Sequence, residues 1–188
     1  MEDISEKKQA IFDSTLDLIK QHGFHGCPMS SVAKNAGVAA GTIYHYFESK
    51  DQLICELFTY TRGKMISILR EGDDENKPYE ERFFALWNNL FRFYVEEPHS
   101  YKFFEQFVNS PYYNKSHDRL FELISDFFAK GINQGHLRSV NPEILGVLAH
   151  SSVITAAKIH QFKKIPFAET EQQQVAQIIW DGMVIQRI

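Results

Sequence analysis

Apolar positions recur along the 188-residue chain with the three-to-four spacing of helices almost throughout, and short polar breaks separate them. Ile11, Phe12, Thr15, Leu16, Leu18 and Ile19 predict an amphipathic helix from Glu6 to His22, stopped by Gly23. Met29, Val32, Ala33 and Ala36 fall at i, i+3, i+4 and i+7. They predict a short second helix with Pro28 in its first turn, where a missing N–H has no intrahelical partner to lose. Gly37 follows, where a left-handed residue closes a helix without steric cost. The next helix then starts within about three residues, the turn length of a helix-turn-helix. Ile43 and Phe47 give it one packing side, leaving Thr42, Tyr44, His45 and Tyr46 around the remainder.

After Lys50, the apolar positions Leu53, Ile54, Leu57, Phe58, Thr61, Met65, Ile68 and Leu69 predict one helix of roughly 20 residues, about 30 Å long. The stretch Gly72 to Lys77 has no apolar group and predicts a domain boundary. Beyond it, a wide aromatic face from Phe83 to Tyr94 predicts a helix reaching Glu97. Pro98 opens another, carrying Tyr101, Phe103, Phe104, Phe107 and Val108. A turn at Tyr112, Tyr113 and Asn114 leads to a helix expected from about Ser116 to Gln134, with Leu120, Phe121, Ile124, Phe127 and Phe128 on one side. Asn141, Pro142 and Glu143 read as N-cap, first-turn proline and N-terminal acid of a helix reaching about Lys164, rich in small residues. A last helix is expected from about Glu169 to the C-terminus, with Val175, Ile178, Ile179, Met183 and Val184. The chain is thus expected to be all-α, with about nine helices. Its last two helices carry more apolar positions than one neighbour covers, which suggests a four-helix bundle between two copies; an intrachain hairpin is the alternative.

Composition narrows the chemistry. A hydrophobic content of 44% with 14% aromatic residues is ample for a core, and no apolar run approaches the ~20 residues that cross a bilayer. The charged N-terminus does not resemble a signal peptide, so a cytoplasmic location without membrane insertion is expected. The net charge of −4 is unlike that of a histone-like binder, so any basic footprint rests on arrangement. Cys27 and Cys55 provide neither a disulfide framework nor a metal-ligand spacing; a redox-sensing thiol at Cys27 is the alternative to structural use. The 8 His residues include no Glu-x-x-His or His-x-x-x-His pattern, and no nucleophile, base and orienting group assemble. An enzyme or metalloprotein on a helical bundle is therefore disfavoured, and no cofactor is implied.

The small residues Ala39, Ala40 and Gly41 would let a helix N-terminus approach a phosphate or groove edge closely. Thr42, Tyr44, His45 and Tyr46 offer hydroxyl and imidazole groups for phosphates and base edges. Ser49 reads as an N-cap that places the Lys50 cation in the following first turn.

The run AGVAAGTIYHYFESKDQL, preceded by GFHGCPMSSVA, resembles the DNA-binding segment of TetR-family transcriptional regulators. Val32-Ala33, Ala36-Gly37-Val38, Gly41, Tyr44, Tyr46-Phe47, Ser49-Lys50-Asp51 and Leu53 are in register with the family pattern. The GINQGHLR segment near Gly135 shows a weaker similarity to the family's regulatory domain. Two positions depart from it. Cys27 stands where the family has a capping Thr and Ala39 where it has a capping Ser, each losing a side-chain acceptor worth roughly 1 kcal/mol.

The resemblance implies a DNA-binding domain over 1–50 with its motif at about 28–47, a connecting helix over 51–72 and a regulatory, dimerising domain over 73–188. It implies phosphate contacts from Thr42, Tyr44 and Lys50, a groove lined by Ala40, Gly41, His45 and Tyr46, and further contacts from Ser30 and Ser31. The implied partners are a double-stranded, pseudo-palindromic operator read by a homodimer joined through the last two helices, and a small-molecule effector that releases it. Phe84, Trp87, Phe91, Tyr94, Phe104, Phe107 and Phe128 suggest an aromatic-walled pocket suited to an apolar or aromatic effector. An aromatic stripe at helical spacing also makes core. Activation in place of repression uses the same head, and a TetR-fold lipid-binding or interaction protein without a DNA function is the remaining alternative.

Overall fold

Ser5 starts the first helix by accepting a hydrogen bond from the Lys8 N–H at 3.3 Å, and Gly23, at φ 67°, ends it by donating to the Ile19 carbonyl. In this computed structural model residues 5–113, 119–162, 165 and 167–185 are described. They form α1 (Glu6–His22), α2 (Met29–Asn35), α3 (Ala40–Tyr46), α4 (Lys50–Leu69), α5 (Tyr79–Glu96), α6 (Pro98–Val108), α7 (Arg119–Asn133), α8 (Pro142–Phe162) and α9 (Glu169–Met183). The expected turn at Asn114, the helix start at Ser116, the packing of Leu120 and Phe121 and the stretch near Lys164 lie outside the residues whose placement is described.

The chain divides into two compact units. One comprises residues 1–64 and 97–117, the other 65–96 and 118–188. This division differs from a segmentation at 50 and 72: it falls within α4, and α6 groups with the N-terminal helices. The cause is aromatic. Phe107 of α6 stacks on Phe58 of α4 at 4.0 Å between ring centres, Phe104 meets the same ring edge-on at 5.6 Å, and Phe103 meets Phe24 at 6.0 Å. Gln106 adds a hydrogen bond from its amide to the Ile19 carbonyl at 3.2 Å.

In the second unit α5, α7, α8 and α9 enclose Phe83, Trp87, Phe93, Tyr94, Phe128 and Val153, all fully or almost fully buried. The polar atoms in that core are paired, as burial requires. The Trp87 indole N–H donates to Ser152 Oγ at 2.9 Å, and the Tyr79 hydroxyl donates to the Phe127 carbonyl at 3.1 Å. Gly146 permits the close passage of α8 over α7, since a Cβ there would stand 2.8 Å from Ile124.

The last helix does not run to the C-terminus. It stops at Met183 because the chain beyond pairs with the segment after α7: Leu137 and Val184 form an antiparallel bridge. The Arg138 N–H donates to the Met183 carbonyl at 2.9 Å and the Ile185 N–H to that of His136 at 3.2 Å. Among the described residues, no helix is long and apolar enough to cross a membrane.

Candidate nucleic-acid interface

The helix-turn-helix is built from α2 and α3. Three buried residues of α2, Met29, Val32 and Ala33, hold it on the unit's core, and the Ser14 hydroxyl of α1 donates to the Val32 carbonyl at 3.0 Å. Gly37, at φ 68°, turns the chain, with Gly37 N–H to the Lys34 carbonyl at 3.2 Å and Val38 N–H to that of Ala33 at 3.0 Å. This paired closure is the Schellman pattern, which satisfies carbonyls that the helix end leaves free.

α3 is held by Ile43 and by Phe47 just past its end, both wholly buried, with the Phe47 ring 5.6 Å from that of Phe12. Everything else on it faces outward or sits at the rim. Ala40, Gly41, Tyr44 and His45 are exposed, Tyr44 by 57%, while Thr42 and Tyr46 are half-buried. On α2, Ser30 is exposed and Ser31 half-buried. The arrangement places hydroxyls and an imidazole on one outward helix of a paired-helix motif, which is the disposition that reads base edges and phosphates in a groove.

Two of the expected contacts are also engaged within the head. The Tyr46 hydroxyl shares a hydrogen bond with Ser5 Oγ at 3.0 Å, and the Lys50 ammonium donates to the Phe24 carbonyl. That carbonyl offsets the unfavourable position of a cation in the first turn of α4. Lys50 also borders an open cleft of about 720 Å³ shared with Phe24, Gln106 and Tyr112. Ser49 caps α4 as expected, accepting from the Gln52 N–H at 3.2 Å. Lys34, exposed in the last turn of α2, is a further cation on this motif that apolar periodicity gave no reason to single out.

The N-terminal ends of α2 and α3 have no side-chain cap. For α3 the residue is Ala39, as expected; for α2 the N-cap is Pro28, so Cys27 lies one residue before the cap and is 1% exposed. Burial pushes the Cys27 thiol up, with the nearby Lys50 charge opposing it only in part. A raised thiol holds less thiolate, which weighs against a redox-sensing role.

The aromatic set expected around an effector falls into two places. Phe84, Trp87, Phe91, Tyr94 and Phe128 belong to the second unit, whereas Phe104 and Phe107 belong to the first, where they pack against Phe58. Trp87 and Phe91 stack at 5.7 Å, and the Tyr94 hydroxyl hydrogen-bonds to His150 Nε2 at 2.6 Å. Trp87, Tyr94 and Phe128 are at most 1% exposed and fill core; Phe84 keeps a half-exposed edge beside Trp180. A cleft of about 390 Å³ in the same unit is lined instead by polar groups, among them Asn88, His160 and Gln172.

An all-helical chain that presents a two-helix motif with its second helix turned outward is a helix-turn-helix DNA-binding protein. Comparison with known proteins makes the class specific. The family model described as bacterial regulatory proteins, tetR family, matches residues 11–57, and that described as tetracyclin repressor-like, C-terminal domain, matches residues 78–184. The chain belongs to the TetR family of transcriptional regulators, and, like its relatives, it is a regulator and not an enzyme. It is 29% identical over 155 residues to an uncharacterised HTH-type transcriptional regulator from Haemophilus influenzae, spanning 82% of this chain and 83% of that one. A fatty acid metabolism regulator protein from Bacillus subtilis is 36% identical over 76 residues, covering 40% of this chain and 39% of the relative. Among solved structures, a TetR-family transcriptional regulator from Haemophilus influenzae superposes with a TM-score of 0.83 at 25% identity over 96% of this chain and 97% of its own. A TetR family transcription regulator from Marinobacter aquaeolei shares the fold with a TM-score of 0.86 at 21% identity, covering 96% of each chain.

Proposed function

We propose that this regulator is a ligand-responsive repressor that binds a pseudo-palindromic operator as a homodimer in the cytoplasm. The observation that carries the reading is the leading edge of α3: Ala39, Ala40 and Gly41 are exposed and bare of bulk, and Tyr44 and His45 stand exposed behind them. In this reading Thr42, Tyr44 and Lys50 hold phosphates. Ala40, Gly41, His45 and Tyr46 line the groove, with Ser30 and Ser31 contributing from α2. The Lys50 ammonium has three donors, so its bond to Phe24 leaves others for a phosphate.

The homodimer is supported by apolar side chains left facing outward on the last two helices. Ile144, Val147 and Leu148 on α8 and Ile178 on α9 are between 48% and 69% exposed. Their spacing on α8 makes a single stripe, and large exposed apolar stripes mark association surfaces. A second copy presenting the same stripe forms an isologous interface.

The effector is a small, mostly apolar or aromatic molecule that meets the second unit at Phe84, the partly exposed member of its aromatic set, while Trp87, Tyr94 and Phe128 form the packed core behind it. Effector binding lowers operator affinity only in so far as the molecule binds the two states of the protein unequally. The 36% identity to the Bacillus subtilis fatty acid regulator spans 76 residues of this chain.

The testing experiment is selection of duplexes from a random DNA pool, followed by binding titrations of the selected duplex over a salt series. Half-site symmetry in the selected sequences and weaker binding by Tyr44→Ala support the reading. Enrichment of no sequence favours the alternative of a TetR-fold lipid-binding or interaction protein.

A further inference from the structure

The first turns of α1 carry polar residues that leave their own helix and reach the reading motif. Ser5 Oγ shares its hydrogen bond with the Tyr46 hydroxyl at the end of α3. The Lys8 ammonium lies 2.9 Å from Glu56 Oε2 of α4 and 5.6 Å from the centre of the Phe47 ring, between the two helices. Gln9 Oε1 accepts from the Tyr60 hydroxyl of α4 at 2.6 Å. Ser5, Lys8 and Gln9 stand at i, i+3 and i+4, so they share one face of α1, and Phe12 continues it at i+7, with its ring on Phe47 and Tyr60. Hydrophobic packing already seats α3 through Ile43 and Phe47. What that leaves soft is rotation of a seven-residue helix about its packed side, because dispersion contacts are not directional and hydrogen bonds are.

We propose that Ser5, Lys8 and Gln9 form a polar clasp that sets the angle of the recognition helix against α4, with the Ser5–Tyr46 hydroxyl pair as its direct link to α3. Ser5 is thereby a positioning residue for operator reading: the Tyr46 ring lines the groove, while its hydroxyl is held by Ser5. The clasp contributes little to global stability, since its members are at least partly exposed and such pairs are worth little. Its effect is on discrimination: a recognition helix free to roll still meets phosphates but aligns poorly with base edges. The DNA part of this inference rests on the reading of α3 as the operator-contacting helix.

Ser5 also caps α1 through the Lys8 N–H, so Tyr46→Phe is the cleaner variant and Ser5→Ala its partner. Two readouts are taken on wild type, Tyr46→Phe, Ser5→Ala, the double variant and Ser5→Thr, which keeps both hydroxyl and cap. The first is amide hydrogen exchange of residues 40–46 without DNA. The second is affinity for the selected duplex relative to a scrambled one. The expected result is faster exchange in α3 in both single variants, with little change in thermal midpoint for Tyr46→Phe and a modest fall for Ser5→Ala, which also loses the α1 cap. The affinity ratio falls about threefold to tenfold in each, the range of one net hydrogen bond, with no further fall in the double variant and recovery in Ser5→Thr. Unchanged exchange in Tyr46→Phe overturns the clasp. Losses that multiply in the double variant also overturn it, because they mean two independent DNA contacts. If the wild-type chain enriches no duplex, the operator reading falls while the exchange measurement still decides the clasp.

Discussion

Gly41 lies in the first turn of α3, where helix formation gains nothing from glycine. Its φ is not positive, and a Cβ built on it meets nothing within 4 Å. An alanine therefore fits without strain, and by backbone entropy and helix propensity it stabilises the fold by about 0.5 kcal/mol, the lower end of the usual range because the site is near a helix end. For a chain of this size that raises the thermal midpoint by roughly 1–2 °C. The effect on DNA runs the other way. A methyl group on the exposed leading edge holds the helix off the groove and lengthens hydrogen bonds to charged phosphate oxygens, each worth about 1.5–3 kcal/mol. Loss of one such bond weakens operator binding about tenfold to a hundredfold. The slope of affinity against salt stays unchanged, because no cation has been removed. Fluorescence anisotropy with the selected duplex at several salt concentrations, beside a thermal melt of the free protein, reads both quantities. A Gly41→Ala variant that melts higher and binds as tightly as wild type refutes the close approach of α3 to DNA.

Leu148 is 53% exposed on α8, so Leu148→Glu is expected to leave the helical signal intact while sedimentation velocity moves from dimer to monomer and operator affinity collapses. A dimer that persists in this variant removes α8 from the interface. His150 supplies a pH dependence: burial pulls its imidazole down to about 4, against about 6.5 when unfolded. The residue keeps a partly exposed surface, but its ring nitrogen is hydrogen-bonded to the buried Tyr94 hydroxyl. Between those values the unfolded chain binds a proton the folded one does not, so stability rises with pH across the window and is flat above it. About 2 kcal/mol is lost by pH 5 relative to pH 8. Denaturation of wild type and His150→Gln across that range isolates the contribution, and equal slopes contradict it. Cys27, buried and with a raised thiol, should react with a thiol-specific reagent far more slowly than half-buried Cys55 until the protein unfolds; mass spectrometry after timed labelling distinguishes the two.

The helix-turn-helix was legible because its determinants are local. The apolar spacing of α1, the stop at Gly23 and the left-handed Gly37 each act within a few residues of where they stand. What escaped the sequence depends on partners far along the chain. The end of α9 at Met183 is set by pairing with residues 136–138, not by a breaker in its own segment. The aromatic stripe of α6 correctly announced a helix, but a period does not say which surface covers it. Phe104 and Phe107 read as candidate pocket wall and pack instead on Phe58. The same holds for Tyr46, whose chemistry suits a groove and whose hydroxyl also meets Ser5, 41 positions away. The N-cap of α2 is Pro28, one residue beyond the position the family pattern gives, and Cys27 before it lies in the core.

Duplex selection followed by a salt series with purified wild-type protein puts the proposed repressor to its most direct trial. The expected outcome is a pseudo-palindromic consensus bound by a dimer, with affinity that falls as salt rises and drops further for Tyr44→Ala and Lys50→Ala. Binding of equal strength to selected and scrambled duplexes, or no enrichment at all, contradicts an operator-reading role for α3.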